Sequence, residues 1–198
     1  MKLRTTARLI ASMLFLALMF CYGCQGSEPA SDARIIKYFD LTSLIENQIK
    51  WLDSLNPKVK KLVVIDGQNE EQIDTVNWDT ELVFFKQSDL NRPYLLDAYS
   101  SNEVNDRSVK KTIYQPLDST DLGIIRLEIH SDSGSGQVKK VKSVYEERNL
   151  LYNNWRKVTM EFFLIDGMAR PANYKLEGRQ KVIFKDKVDY LIVGEILY

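Results

Sequence analysis

The sequence predicts an α+β protein: a curved, half-barrel-like antiparallel β-meander with two N-terminal helices packed on one face. Three observations lead there. Apolar residues recur at three- and four-residue spacing between Ile35 and Leu55, the period of an amphipathic helix. From Tyr94 to Tyr198 apolar residues alternate in short runs, the period of half-buried strands. Asp66-Gly67 and Asp166-Gly167 mark tight hairpins, because both residue types tolerate the positive φ of two-residue turns.

The residues ahead of the body read as an export address. Lys2, Arg4 and Arg8 precede an apolar run from Leu9 to Phe20, followed by Cys21-Tyr22-Gly23-Cys24. That run is too short to cross a bilayer and has the layout of a removable signal. Gly23-Cys24 fits a bacterial lipoprotein signal, in which the thiol is alkylated with lipid before cleavage makes that Cys the new N-terminus. On this reading residues 1–23 are the signal peptide, 24–34 a flexible tether attached through Cys24, and 35–198 a single domain. Cys21 and Tyr22 depart from the usual Leu at minus three and small residue at minus two. Secretory cleavage after Gly23 or Gly26 is the competing reading, and an uncleaved anchor the third. Gln25 after the Cys resembles an outer-membrane sorting signal, so the expected location is the bacterial cell envelope.

Leu41, Leu44, Ile45, Ile49, Leu52 and Leu55 form the stripe of the first helix, opposite Glu46, Asn47 and Lys50. Asp40 can cap its start, and Asn56-Pro57 stops it because Pro disfavours helical geometry in the residue before it. Its polar face is poor in Lys and Arg, so packing on a sheet fits better than lying on a membrane. Val59 to Ile65 reads as a strand, with Gln68 to Val76 as its return, weakened by the polar run Asn69-Glu70-Glu71-Gln72. Asn77 can cap a second helix from Trp78 to Leu90, with Trp78, Leu82 and Phe85 on one face and Arg92-Pro93 at its end.

The meander takes up the rest. Ile125 to His130 is its clearest strand, alternating Ile125, Leu127 and Ile129 against Arg126, Glu128 and His130. Ser131 to Gly136 is a flexible turn, and Val138 to Tyr145 and Trp155 to Ile165 follow. Beyond Asp166-Gly167 come short strands at Tyr174 to Leu176 and Lys181 to Phe184, then a last strand from Val188 to Tyr198. The stretches Lys58, Lys60, Lys61 and Lys139, Lys140, Lys142 read as protection of exposed sheet edges. Charges along one face of most strands, and the shortness of several, argue against a membrane-spanning barrel.

Composition narrows the chemistry. Cys21 and Cys24 are the only cysteines, so the body holds no disulfide, thiol nucleophile or cysteine metal site. The chain balances 27 basic against 27 acidic residues; losing the signal removes three basic residues and leaves 24 against 27. So small a charge argues against a nucleic-acid partner. His130 is the sole histidine, and a serine triad, a histidine zinc site or a histidine base would each need it. Its place at a strand end beside a loose turn reads as a solvated surface position. Ser133-Gly134-Ser135-Gly136 lacks the Lys and helix of a phosphate cradle. Glu146 and Glu147 are adjacent, so in a strand they point to opposite faces and cannot share a glycosidic pocket. Asp66, Asp132, Asp166 and Asp186 suit turns. No motif calls for a metal or a cofactor, and neither is expected.

Aromatic supply is the more suggestive feature, with three Trp, ten Tyr and eight Phe. Tyr145, Trp155, Phe162, Tyr174 and Tyr190, with Tyr152, are the candidate lining of a groove for an apolar or amphiphilic ligand. The plainer account is that β-sheets favour aromatics.

Three stretches carry a resemblance. Tyr38-Phe-Asp-Leu-Thr-Ser-Leu-Ile-Glu-Asn-Gln-Ile-Lys-Trp-Leu52, Asn77-Trp-Asp-Thr-Glu-Leu82 with Ser88-Asp-Leu-Asn-Arg-Pro93, and Leu176-Glu-Gly-Arg-Gln-Lys-Val182 resemble small uncharacterised envelope lipoproteins of Bacteroidota. The resemblance covers most of the chain beyond the signal and implies a membrane partner through the lipid anchor. Its motifs are structural, the family has no assigned activity, and no site residues come with it. In architecture alone the half-barrel is similar to the lipoprotein carriers of the envelope, which licenses little about function. The expected role is a non-catalytic binding or interaction module for an amphiphile or an envelope partner. The alternatives are a structural or assembly lipoprotein with a filled core, and a carboxylate-dependent hydrolase. An apolar cavity, a filled core with an exposed apolar patch, or two converging carboxylates would tell the three apart.

Overall fold

The first helix forms where its apolar stripe asks for it. In the computed structural model, which describes residues 35–118 and 123–198, α1 (Leu41–Leu55) starts at Asp40. The Asp40 carboxylate accepts from the Ser43 N–H at 3.0 Å and from the Ser43 hydroxyl at 2.7 Å. The helix ends at Asn56, which adopts the left-handed conformation (φ 46°) and donates its N–H to the Leu52 carbonyl, just before Pro57 prevents another turn. Leu41, Ile45, Ile49 and Leu52 are buried, whereas Leu55 is exposed. The stripe thus leaves the core at its last member. Cys24 and the stretches expected to be signal peptide and tether lie outside the described residues.

Nine strands make one antiparallel sheet: β1 (Lys58–Ile65), β2 (Gln68–Asp74), β3 (Tyr99–Asp106), β4 (Val109–Pro116), β5 (Ile124–Asp132), β6 (Val138–Arg148), β7 (Tyr152–Ile165), β8 (Met168–Val182) and β9 (Val188–Leu197). Their order is β2-β1-β9-β8-β7-β6-β5-β4-β3, so the sheet stays open and the fold is α+β. From β3 to β9 each strand pairs with its successor, as a meander does. The β1–β2 hairpin instead docks beside the last strand, Lys58 facing Leu197 and Ile65 facing Tyr190. Between the edge strands β2 and β3 the chain crosses through α2 (Trp78–Glu81), α3 (Val83–Lys86) and a 3-10 turn at Pro93–Leu95.

The single helix expected over Trp78 to Leu90 is broken after Glu81. Trp78, Leu82 and Phe85 do share burial, but the residues beyond Lys86 are committed elsewhere. Asn91 accepts the N–H groups of Lys37 and Tyr38 at 2.9 and 2.8 Å, and Asp89 accepts from the Thr42 hydroxyl at 2.6 Å. These bonds tie the segment to the start of α1, and a continuous helix would break them. Strand β8 is one element of 15 residues, not two short strands, because pairing on both sides carries it past Gly178. The Tyr190 ring lies where a Cβ on that glycine would stand, a close approach that only glycine allows.

The lysine-rich stretches do not guard edges, because β1 and β6 are interior strands. The edges β2 and β3 are blunted instead by the exposed charges of Glu70, Glu71, Asp74, Glu103 and Asp106, which discourage pairing with another chain. The lysines neutralise acids across neighbouring strands, as in Lys140 with Glu161 at 2.7 Å and Lys60 with Glu71 at 3.2 Å.

Register sorts the two faces. Leu127, Ser143, Val158, Leu176 and Ile192 form one cross-strand row, and Ile129, Val141, Met160 and Tyr174 the next. This face joins Leu41, Ile45, Leu52, Trp78, Leu82 and Phe85 in one buried cluster. The opposite face carries Lys142, Lys157, Glu161, Lys175 and Glu177. The buried cluster packs helices against sheet, with a cavity of about 160 Å³ left beside Tyr174.

Candidate functional site

The five expected groove residues fall on both sides of the sheet. Tyr145, Phe162, Tyr174 and Tyr190 are on the helix-covered face. Trp155, opposite Glu146 and Arg179 in register, is on the other. Tyr174 is buried across Gly194 and donates to the Glu81 carboxylate at 2.6 Å, and Phe162 is buried as well. Both fill the core. Tyr145 and Tyr190 are half-buried; Tyr190 and Trp155 border a shallow, charge-lined opening of about 750 Å³, and Tyr145 borders a separate one on the helix-covered face.

That opening is a cavity of about 430 Å³ lined by Gln87, Arg92, Tyr94, Tyr145, Asn154 and Arg156, with Glu147 and Gly123 also on its wall. The Tyr145 hydroxyl donates to Glu147 at 2.6 Å, and the Tyr152 hydroxyl donates to the same carboxylate. Burial, with this bond, pushes the Tyr145 hydroxyl up to about 12. The two phenols hold Glu147 below the usual carboxylate range. Its neighbour Glu146 pairs with Arg148 on the other face, as adjacent strand residues must.

A second cleft, of about 570 Å³, opens at the opposite end of the strands, where α1 ends beside the β7–β8 hairpin. Trp51, Leu55, Ile165, Met168, Leu197 and Tyr198 line it, with Pro57, Asp166 and Arg170. Leu55, Met168, Leu197 and Tyr198 are all exposed. The Trp51 and Tyr198 rings lie 5.2 Å apart, and Phe163 extends the row at 5.5 Å from Tyr198. The Arg170 guanidinium sits 4.2 Å from the Trp51 ring centroid, its nearest polar contact the Met168 sulfur at 3.4 Å. Among the described residues Arg170 has no carboxylate partner. Sequence reasoning missed this cleft. Its one local signal was Trp51, a large aromatic just off the buried stripe of α1.

His130 is not a solvated surface residue. Its Nε2 lies 3.1 Å from the Glu128 carboxylate, which is itself only 3% exposed. Arg126 at 2.5 Å, Lys111 at 3.0 Å and Lys142 at 3.7 Å complete the ring. Burial pushes Glu128 upward, but hydrogen bonds from Arg126, His130 and Lys111 outweigh it and hold its pKa down at about 2. A carboxylate so fully engaged has no proton to give or take near neutral pH. A bulge between Ile124 and Arg126 leaves Ile125 exposed, which shifts the alternation expected along β5.

Among the described residues no group of three or more His, Cys, Asp or Glu is arranged to hold a metal. No helix among them is long and apolar enough to cross a membrane. No protein-family model matches the chain, and no curated protein does so either.

Proposed function

We propose that this chain is a non-catalytic binding module of the cell envelope, held at a membrane by lipid on Cys24, and that the cleft at the end of α1 takes the apolar chain of an amphiphile. One observation carries this reading: an apolar trough ends on Arg170, a cation stacked on Trp51 and lacking a carboxylate partner among the described residues. An acyl chain lying over Trp51, Leu55, Met168 and Leu197 removes exposed apolar surface from water, and an anionic head group meets Arg170. Each methylene buried adds about 0.8 kcal/mol, so a few carbons give measurable affinity. The same reading takes the sheet as half-barrel-like, with the helices across its concave side.

Native mass spectrometry of protein extracted from its own membrane tests this, together with tryptophan fluorescence during titration with palmitate. The expected results are a co-purifying amphiphile and a saturable spectral shift that Met168→Glu abolishes. An unshifted spectrum and a ligand-free mass would sink the proposal. The anchor has its own check: equal incorporation of labelled fatty acid by Cys24→Ser and the parent rules out Cys24.

A different observation favours an assembly role. The core beneath α1 is a packed apolar cluster, and Leu150, Leu151, Ile183 and Phe184 stand exposed on two adjoining turns, where the Ile183 N–H donates to the Leu151 carbonyl at 2.7 Å. An apolar patch of this kind docks another protein. Concentration-dependent association that Leu150→Ser and Phe184→Ser both abolish would single out that role.

A further inference from the structure

We infer that the cavity bordered by Tyr145 is an anion site for an organic phosphate, gripped by Arg92 and Arg156. Arg156 stands on β7, on the helix-covered face. Its guanidinium lies 4.0 Å from the Phe84 ring centroid and 4.9 Å from that of Tyr145. Two aromatic faces fix its plane yet offer no acceptor for its N–H groups. Its one polar contact among the described residues is the Gln87 side-chain oxygen at 3.4 Å, long for a hydrogen bond. Burial lowers the Arg156 pKa, which means that holding this charge here carries a cost.

Arg92 reaches the same glutamine at its backbone. It donates to the Gln87 backbone carbonyl at 2.9 Å and to the Tyr94 hydroxyl at 3.1 Å. Two cations therefore share one neutral residue, and an anion placed between them would be attracted to both. Glu147 borders the cavity, but its carboxylate takes the hydroxyls of Tyr145 and Tyr152 and makes no ion pair with either arginine. The described lining thus carries two positive charges and one negative charge.

The geometry selects among anions. A carboxylate has two oxygens, which one guanidinium fork satisfies. Two forks arriving from separate elements suit a tetrahedral group with three or more oxygens. Asn154 adds a neutral side-chain donor, and the Tyr94 ring, 66% exposed, offers a platform for the organic body. A volume of about 430 Å³ accommodates a phosphate with a small body, whether a soluble ester or the head of a lipid. Leu150, Leu151 and Phe184 project at this same end of the strands, where a lipid surface would bring such heads.

Titration calorimetry at low salt with sn-glycerol 1-phosphate, and co-sedimentation with phosphatidylglycerol vesicles against phosphatidylcholine vesicles, test the site. Saturable binding is expected, weakened about tenfold by Arg156→Gln and by Arg92→Gln. Both arginines are half-buried, but Arg92 ends on a carbonyl and a phenol and not between two rings, so its variant remains informative if loss of the Arg156 stacking impairs folding. Binding of the ester alone identifies a soluble phosphate. Binding of phosphatidylglycerol vesicles that the same variants weaken identifies a head group. Absence of binding in both arms, or binding that neither variant changes, overturns the site. Met168→Glu should leave ester binding intact, so failure of the apolar cleft and failure of this site are separable.

Discussion

Glu128 lies under four cationic or protonatable side chains contributed by three strands, and its charge is what they share. Its folded pKa, about 2, is below the ordinary 4.5, so the folded chain holds the ionised form more tightly than the unfolded chain does. The resulting stability is complete above about pH 5 and is lost as the pH falls toward 2. Glu128→Gln should cost about 2–3 kcal/mol near pH 7, because it leaves Arg126, Lys111 and Lys142 clustered without a counter-charge. Urea unfolding across pH should show the gap between variant and parent closing in acid; a gap that persisted at pH 2 would assign Glu128 a packing role. Little of this was legible in the sequence. Arg126-Leu127-Glu128-Ile129-His130 looks like a solvated strand face, because Lys111 and Lys142 arrive from neighbouring strands that no local pattern reveals. By contrast, the parity of Trp155 and Phe162 on one strand already sets them on opposite faces, and that signal was available.

Among the elements, legibility tracks how local the cause is. At Asp66-Gly67 both residues have positive φ, as at Asp166-Gly167, and both hairpins could be read because the turn residues themselves dictate the turn. The end of α3 at Lys86, short of Leu90, could not, because Asn91 and Asp89 bind Lys37, Tyr38 and Thr42. Neither could the apolar cleft, which gathers α1, the β7–β8 hairpin and β9. Phe184 is a third case. It holds φ 61° while 98% exposed, in the left-handed region that penalises side chains by about 1–2 kcal/mol. Phe184→Gly removes that strain and loses no packing. Set against the extra freedom glycine gives the unfolded chain, a net gain of about 0.5–1 kcal/mol is expected in urea denaturation. A loss instead would mean that the ring makes contacts in solution.

For the whole molecule, the decisive pairing is β1 with β9. Everything from β3 to β9 pairs between neighbours in the chain and follows from the meander pattern, whereas the place of the first hairpin depends on a strand at the far end. A chain ending after Lys187 should lose its cooperative thermal transition by circular dichroism, because β1 and the row through Val63, Ile192 and Leu176 lose their common neighbour. A transition close to the parent's would show that the hairpin docks without β9.

The same pairing sets an order in time. Residues 58–74 precede their partner strand by more than a hundred residues and reach their place only when 188–197 have emerged, so β9 is the strand that seals this sheet. Until then Lys61-Leu62-Val63-Val64-Ile65, a short β-prone run, waits with one side unpaired. Such a run is the segment through which a half-finished chain associates with its neighbours. The acidic partner strand β2, folded back over it by a tight turn, covers the other side during the wait.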